Sequence, residues 1–527
     1  MNRNGTFSIV IHAHHPFVPR EEGRISPGEQ NFFESLSETY IPLLMLFDSL
    51  ERDGVPFRLS MALSPSLCSM LHDRKRMGKY LAWLESRIAF GGEELKRCKS
   101  RPELFLAEFY RGQDLERRDF FTGPCGMNLL GAFDGFQKRG RLEFLTSSAT
   151  HAFLPFYASM EEALRAQIET ALVHHRHYLG RNAAGFWLPE LGWTGSLGSY
   201  LRAYRFTYTI ADSHALVLGS PPARGGSFRP VKTPAGLIVF GRDITARKDM
   251  ADLAASRTGV YRNSFLDAGY ELPAQALKSL MGTENGRCST GYRYRAGEGN
   301  GLYDPRKARE AAAEDGLRFL RLRLSRLEQA RGCLEDPISL WAFDAGDLGC
   351  SWHEGTVFLE TLIREIARGK DCCTLLTPED YLDGAGSSFE VTEPDFSSSL
   401  PDGYGGILLD ASNDWIYRHI FRSVQRMVEM TGHFPGDTGL KERALNQAAR
   451  EVLLAQSTDW AKPVNPQWKD RIDRFYAGEE LEGALRNFTT IYEALGSNHI
   501  STEWLTALEK RHNLFPCINY RVFGRKE

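Results

Sequence analysis

Carboxylate and imidazole side chains recur in this chain directly after short apolar runs. Glu190 follows the run 185–189, and Asp344 follows the run 337–343. Other polar residues in this kind of position are His12, His14, His151, Asp212 and His214. Short apolar runs predict buried strands, and in a barrel of parallel strands the residues at the strand ends meet at one rim. Two carboxylates among neutral donors are what cleavage of a glycosidic bond requires, one as nucleophile or base and the other as acid.

Other roles are open for these residues when each is considered by itself. Glu190 could be a capping or salt-bridged residue beside a core tryptophan, and a single histidine more often has a structural role. The His12-x-His14 pair, the later histidines and a final Asp344 also describe a metal-dependent amidohydrolase, in which they hold divalent metals that activate water. That hypothesis predicts bound zinc or a similar ion and leaves Glu190 without a specified role.

The composition is typical of a globular protein with more than one domain. The chain has 527 residues, and 64 Lys and Arg against 67 Asp and Glu give a net charge of -3. This balance offers no electrostatic basis for binding nucleic acid or an anionic membrane, and it suits a polar, uncharged substrate. The sequence predicts neither a membrane span nor a secretory signal, and nine scattered cysteines without a CxxC pair indicate reduced thiols. We therefore expect a cytoplasmic protein.

Strand-like and helical patterns alternate through the first 384 residues. Strands are predicted at 7–11, 57–63, 142–145, 185–189, 206–210, 237–240, 337–343 and 374–377. Helical patterns lie between most of them, including a long stretch at 65–137 and a helix that begins at Asp304-Pro305, where a capping residue precedes a first-turn proline. Alternating strands and helices predict a parallel sheet, here closed as a barrel-like domain.

Changes in composition divide the rest of the chain. Residues 215–300 are rich in Gly, Pro and Arg and predict a loop-rich insertion, and insertions at strand ends build substrate clefts. A Ser-, Gly- and Pro-rich connection follows at 385–412, and from 413 onward the pattern is purely helical. We therefore predict a barrel domain at 1–384, a connecting loop at 385–412 and a helical domain at 413–527.

Seven segments spread along the chain resemble glycoside hydrolase family 57. They are His12–Pro16, Ala149–Pro155, Trp187–Glu190, Asp212–Ala215, Phe343–Ala345, Asn413–Tyr417 and Ala455–Trp460. The resemblance is to members of about this length that act as 1,4-α-glucan branching enzymes or amylase-like hydrolases. It implies an α/β fold, an incomplete (β/α)7 barrel with an inserted loop-rich region, followed by an all-helical C-terminal domain.

The resemblance also implies roles for individual residues. Glu190 matches the nucleophile and Asp344 the general acid/base of a retaining mechanism. The expected substrate-binding residues are His12, His14, His151, Trp187, Asp212, His214, Trp352, Asp459 and Trp460. The implied partner is an α-glucan or maltooligosaccharide. No cofactor, metal, nucleic acid or membrane is expected, and the oligomeric state is left open.

The chain departs from the family pattern around the expected cleft. After Phe343-Asp344 the family has a Glu and then a Phe-Gly-His-Trp-Trp run, whereas residues 345–352 here read Ala-Gly-Asp-Leu-Gly-Cys-Ser-Trp. The tyrosine that branching members carry in the loop after the fifth strand is missing from 220–230, and 194–340 and 353–414 contain no Trp. Transfer requires a well-held acceptor, so these losses predict hydrolysis exceeding branching. The third alternative is a carbohydrate-binding relative that has lost catalysis.

Overall fold

Seven parallel strands form a closed barrel at the centre of the molecule. The computed structural model describes residues 5–23, 25–257, 259–277, 287–297, 301–369, 373–384, 388–468 and 474–525. The strands are β1 (Thr6–Ala13), β2 (Leu59–Leu63), β3 (Leu142–Ser147), β4 (Gly185–Trp187), β5 (Tyr208–Asp212), β6 (Val231–Lys232), β7 (Ile238–Arg242), β8 (Ile338–Asp344) and β9 (Thr374–Leu375). The barrel order is β1-β2-β3-β4-β5-β7-β8, and β8 pairs with β1 to close it. The predicted (β/α)7 barrel is confirmed.

Two short strands lie outside the closed barrel. β6 runs antiparallel to β7, and β9 pairs only with Thr6 and Phe7 at the start of β1. The strand predicted at 237–240 is barrel strand β7, so the predicted insertion lies on both sides of a barrel strand. Residues 258, 278–286 and 298–300 of that insertion lie outside the described residues.

Alternation along the strands decides which side chains reach the barrel interior. In β1, Ile11 packs outward against the helices, whereas Val10 packs inside the barrel. Successive side chains point to opposite faces, so His12 shares the inward face of Val10. By the same rule Asp344 follows the inward-facing Ala342 in β8, and the register pairs His12 with Asp344. A histidine and a carboxylate therefore meet at the carboxyl end of the barrel.

Helices cover the barrel and make up the C-terminal part. In the barrel part they are Pro27–Ser35, Ile41–Arg52, Pro65–His72, Arg74–Arg97, Leu104–Thr122, Leu129–Lys138, Glu161–Leu179, Ser196–Ala203, Ser213–Val217, Ile244–Ser256, Ala268–Glu271, Pro305–Arg331, Gly355–Arg368 and Pro378–Gly384. In the C-terminal part they are Asp414–His433, Gly439–Ala455, Thr458–Val464, Arg474–Gly496 and Thr502–Arg511. A π-helical turn, Leu36–Tyr40, joins the first two helices. The all-helical C-terminal part is as predicted, and domain boundaries at 384 and 413 remain predictions.

The helical C-terminal part packs directly on the carboxyl ends of the barrel strands. Gln167 donates a hydrogen bond to Gln456 at 2.7 Å, and Ala152 forms an isolated β-bridge with Ser457. These contacts hold helix Thr458–Val464 over the mouth of the barrel. The loops after the barrel strands and this helix therefore enclose a common space.

Two further features concern the described residues only. Their cysteines are all free thiols, while Cys372 lies outside the described ranges. Within these ranges, none of the helices combines the length and the apolar character that crossing a membrane requires.

Candidate active site

A cleft of about 300 Å³ lies at the carboxyl end of the barrel, beneath helix Thr458–Val464. Both predicted catalytic residues, Glu190 and Asp344, line it. The predicted substrate-binding residues that line the same cleft are His12, His14, His151, Trp187 and Asp459. Residues that are far apart in the sequence are thus gathered around one space of a size that suits a small number of sugar rings.

Glu190 is held in a sharp turn just after β4. It lies in the single-turn 3-10 segment Pro189–Leu191 with a φ of 54°, and Leu191 follows with a φ of 48°. Left-handed backbone is costly for residues other than glycine and is concentrated at functional sites. The turn leaves the Glu190 side chain only 11% exposed and within 2.5 Å of the Lys462 ammonium. Thr458 donates a second hydrogen bond to the same carboxylate oxygen at 3.3 Å.

Asp344, the last residue of β8, is in contact with two basic side chains. His12 donates from Nδ1 to its Oδ1 at 2.9 Å, and Arg247 Nη2 lies 2.6 Å from its Oδ2. Shielding from water alone would raise the pKa of Asp344, but the charge of Arg247 and the hydrogen bond from His12 hold that pKa well below its usual range. In the unliganded cleft Asp344 is therefore a carboxylate.

Three imidazole rings and one indole form a stack between the two carboxylates. The ring centroids of Trp187 and His12 are 4.7 Å apart, those of His12 and His151 are 5.2 Å apart, and those of His151 and His14 are 4.0 Å apart. Burial lowers the pKa of His12 and of His151, so both rings are neutral. Their Nε2 atoms, and the indole nitrogen of Trp187, are buried without a hydrogen-bond partner among the described residues. The stack therefore has unused polar atoms at the cleft.

Asp459 supports this stack from the helical part. Both of its carboxylate oxygens lie 3.0 Å from His14 Nε2, and Ser457 donates to it at 2.7 Å. The ligand atoms of His14, His151 and Asp459 all lie within 4.8 Å of one another, so this trio is the group closest to a metal site among the described residues. The interplanar angle between the His14 and His151 rings is 10°, and Asp459 is hydrogen-bonded to His14. This arrangement suits hydrogen bonding better than coordination of one metal ion by all three residues.

Asp212 and His214 were predicted to bind substrate, but they do not line this cleft. Asp212 is buried, caps the following short helix through one oxygen, and accepts a hydrogen bond from Arg242 at 2.5 Å through the other. His214 donates from Nε2 to the carbonyl of Gly403 at 2.9 Å. Arg242, which Asp212 positions, is the residue of this group that reaches the cleft.

The predicted substrate-binding residues Trp352 and Trp460 also lie away from the cleft. Trp352 packs against Tyr261 and borders a second cavity of about 700 Å³ beside the first. Trp460 is buried within the helical part, where its indole donates to the carbonyl of Leu454 at 3.0 Å. In the helical part, the tryptophan that reaches the cleft is Trp468, with the Lys462 ammonium 5.2 Å above its ring.

Three cations at the cleft, Arg242, Arg247 and Lys462, were missed by sequence reasoning. Lys462 follows Asp459 by three residues on one helix, so the spacing could have placed both on one face. Arg247 lies in helix Ile244–Ser256, within a region whose Gly, Pro and Arg content predicted loops. No local sequence signal indicated that Arg247 reaches Asp344.

Comparisons with known proteins agree with this architecture. The model of glycosyl hydrolase family 57 matches residues 8–395, and that of the 1,4-alpha-glucan branching enzyme C-terminal region matches residues 419–523. A 1,4-alpha-glucan branching enzyme of Thermococcus kodakarensis is 28% identical over 86% of this chain and 69% of its own length. The crystal structure of the α-amylase AmyC from Thermotoga maritima is 31% identical with a TM-score of 0.90, covering 99% of this chain and 100% of that one. A branching enzyme structure from Pyrococcus horikoshii, 24% identical over 99% of this chain and 97% of that one, shares the fold with a TM-score of 0.88. This chain belongs to glycosyl hydrolase family 57.

Proposed function

We propose that this protein cleaves 1,4-α-glucans by a retaining mechanism, with Glu190 as nucleophile and Asp344 as general acid/base. The observation that carries the proposal is the arrangement of two carboxylates, from the ends of β4 and β8, on one cleft with an imidazole stack between them. Glycosidases use two carboxyl groups on one cleft, and the resemblance of Glu190 and Asp344 to the family's nucleophile and acid/base supports the retaining roles. The family membership of the chain supports the same chemistry.

The first step is attack by Glu190 on the anomeric carbon. Its Oε1 already carries the contacts with Lys462 and Thr458, so Oε2 is the oxygen that would attack. The bond from Oε2 to the anomeric carbon forms as the glycosidic bond breaks, and Asp344 gives a proton to the leaving oxygen. In the second step water or a glucan hydroxyl attacks the intermediate, and Asp344 takes up its proton.

The imidazole stack fits the binding of sugar hydroxyls. His12 Nε2, His151 Nε2 and the Trp187 indole nitrogen are buried without partners among the described residues. Buried polar groups that lack hydrogen bonds are costly, and hydroxyl groups of a bound sugar would supply the missing partners. We therefore assign these three residues to recognition of the sugar whose anomeric carbon reacts.

We further propose that hydrolysis exceeds branching. The rim beside Asp344 carries Gly346, Asp347 and Ser351, and Trp352 is turned into the neighbouring cavity instead of offering a platform for an acceptor ring. A weakly held acceptor leaves the intermediate to water. The loop at 220–230 gives this proposal no support, because none of its residues lines the cleft. Its turn Gly226–Phe228 packs instead against β7 and β8.

Incubation with amylose tests both levels of the proposal. New reducing ends and new α-1,6 linkages are counted in the same samples, and we expect more of the former. Branching as the main product would contradict the second proposal only. Binding of amylose without any turnover would favour the carbohydrate-binding alternative over the first proposal.

Elemental analysis separates the amidohydrolase alternative. The trio of His14, His151 and Asp459 is where a metal would be sought. We expect turnover to survive chelation. A stoichiometric transition metal that is lost together with activity would support metal-assisted hydrolysis instead.

A further inference from the structure

Both oxygens of Asp344 are occupied in the unliganded cleft. Oδ1 accepts from His12 at 2.9 Å, and Oδ2 lies 2.6 Å from Arg247 Nη2. A general acid must bring a protonated oxygen within hydrogen-bond distance of the leaving group. Each carboxylate oxygen has more than one lone pair, but a positive charge 2.6 Å from Oδ2 opposes protonation of Asp344. The proposed reaction therefore favours loss of the contact with Arg247.

Arg247 is the partner that is free to move. Its side chain is 45% exposed, whereas that of His12 is only 10% exposed and is stacked on Trp187. Arg247 also lies on the wall between two cavities, since it lines both the catalytic cleft and the 700 Å³ cavity beside it. The contact with Arg247 is thus the one that an incoming ligand can displace.

Asp347 provides a second anchor for the same guanidinium. Arg247 Nε donates to Asp347 Oδ2 at 2.9 Å, in the 3-10 turn Ala345–Leu348 that directly follows Asp344. Because this contact uses a different nitrogen, Arg247 can leave Asp344 and remain paired. Asp347 lies in the segment where the chain departs from the family pattern.

We infer that Arg247 is a positioning residue that occupies Asp344 in the unliganded cleft, and that an α-glucan entering the cleft displaces it onto Asp347 alone. The inference rests on the proposed function. Once released, Asp344 takes a proton from solvent and passes it to the glycosidic oxygen as the bond from Glu190 to the anomeric carbon forms. The second step returns a proton from the attacking hydroxyl to Asp344. Asp344 releases this proton to solvent when the product leaves and Arg247 pairs with it again, so protons balance over the cycle.

Several charged or titratable groups face Asp344 and bear on its protonation. They are His12 from β1, Tyr40 from the π-helical turn, Glu190 after β4, Arg247 after β7, Asp347 from its own turn and Lys462 from the helical part. Of these, Arg247 and His12 touch the carboxylate directly. Removing the Arg247 charge therefore shifts the balance towards the protonated form, and the other groups stay in place.

Kinetics as a function of pH test the inference. The profile of kcat/KM reports groups in the free enzyme, and that of kcat reports groups in the substrate complex. In Arg247→Met we expect the basic limb of kcat/KM to move up by about 1 to 2 pH units, the usual effect of removing a contacting opposite charge. The basic limb of kcat should stay in place, because Arg247 has already left Asp344 in the complex. Lys248→Met, which removes an exposed charge from the same helix, should move neither limb.

The Asp347→Asn variant tests the second anchor. Without Asp347 the guanidinium loses its second anchor and stays paired with Asp344, so kcat at neutral pH should fall roughly tenfold and its basic limb should move to lower pH. Equal shifts of both limbs in Arg247→Met, or no shift in either, would overturn the inference while the activity itself stands. Wild-type protein without turnover on any α-glucan would overturn the proposed function first.

Proton uptake gives a readout that does not need turnover. Binding of maltoheptaose to Glu190→Gln is measured by calorimetry in two buffers of different ionisation enthalpy. We expect uptake of up to about one proton per site, and a smaller uptake at the same pH when Arg247→Met is added. Binding without proton uptake in Glu190→Gln would contradict the displacement.

Discussion

The two sides of the cleft hold their carboxylates in different ways. Glu190 is 11% exposed, and its hydrogen-bond partners Lys462 and Thr458 both come from the helical C-terminal part, while His151 of the barrel part lies 3.8 Å away. Asp344 is 40% exposed, and its partners His12 and Arg247 both come from the barrel part. The Glu190 side therefore depends on packing between two parts of the chain, whereas the Asp344 side is built within one.

The pattern of contacts differs as well. Lys462 contacts one carboxylate oxygen of Glu190, and the other oxygen has no hydrogen bond within the described part of the chain. Both oxygens of Asp344, in contrast, are in contact with basic side chains. A nucleophile must be an anion, and an acid must carry a proton. The Glu190 side thus leaves one oxygen for attack, whereas the charge of Arg247 opposes protonation of Asp344. The two sides should respond differently to substitution.

The largest effect is expected for Glu190→Gln. No covalent intermediate can form, so turnover of every substrate should fall on the order of 10⁴-fold or more. Glucan and activated aryl glycoside substrates are assayed in parallel. Substantial activity of the variant on either substrate would show that the nucleophile lies elsewhere.

Asp344→Asn should affect one class of substrate only. Loss of general acid catalysis lowers the rate about 10²- to 10⁴-fold where the leaving group needs a proton. The rate of amylose turnover should therefore fall by about this factor. Formation of the intermediate from an aryl glycoside with a good leaving group should be spared. If both substrates lose activity equally, Asp344 has a role other than proton transfer.

Strand patterns were sufficient to predict part of this site. Apolar runs ending in polar residues located His12, Glu190 and Asp344, because inward and outward side chains alternate and strand ends share one rim. The same rule failed to separate these residues from Asp212, which ends β5 but uses its oxygens on a helix cap and on Arg242. A strand-end position indicates which rim a side chain reaches, and its hydrogen-bond partners decide whether it reaches the cleft.

Long-range contacts could not be predicted in this way. Arg247 and Asp347 are separated by 100 residues and meet because a helix after β7 packs beside the turn after β8. β7 and β8 are neighbours with little direct pairing, in register only at Arg242 and Leu340. No local periodicity encodes that geometry. The cation on the acid/base side is therefore visible only in the folded structure.

Lys462→Met tests whether the Glu190 side depends on a contact from the helical part. Loss of one charged partner of a catalytic group lowers activity roughly 10²-fold. Because Lys462 orients Glu190, we expect kcat to fall by this factor and KM to change little. Lys441→Met is the matched control, since Lys441 belongs to the same helical part and lies near Asp437 at 3.9 Å. A loss confined to KM would instead place Lys462 in substrate binding.

A third acidic residue, Glu143 in the barrel interior, shows what happens to a buried carboxyl group that no cation contacts among the described residues. Ser60 and Tyr208 donate hydrogen bonds to its carboxyl group, and burial raises the pKa of Glu143 from 4.5 to about 7. Its protonated form is favoured in the folded state, so its contribution to stability is complete below pH 4.5 and is lost as the pH rises to 7. We compare the free energy of unfolding of Glu143→Gln with that of wild type at each pH. The variant minus wild-type difference should increase by about 2 to 3 kcal/mol as the pH rises from 5 to 8.

Chemical denaturation at several pH values measures this difference. Glu161→Gln, which changes an exposed glutamate, should show no such gain. A constant difference between Glu143→Gln and wild type across this pH range would mean that Glu143 is ionised in the folded protein at all of these values.

The smallest effect concerns the rim beside Asp344, where an acceptor would bind. Gly346 lines the cleft, and a Cβ atom built there meets nothing within 4 Å. Gly225 and Gly226 are poorer choices for an aromatic substitution, because Cβ at Gly225 lies 2.7 Å from Arg229 Cβ and Gly226 has a φ of +52°.

In Gly346→Tyr the added ring offers a platform for an acceptor sugar, and such contacts contribute about 0.5 to 1.5 kcal/mol. The ratio of α-1,6 linkages to reducing ends should therefore rise roughly 3- to 10-fold, while Gly432→Tyr, at an exposed site on the helical part with equal room, should leave it unchanged. If the ratio falls or stays constant in Gly346→Tyr, acceptor binding on the Asp344 side does not limit transfer, and control of the partition lies on the Glu190 side.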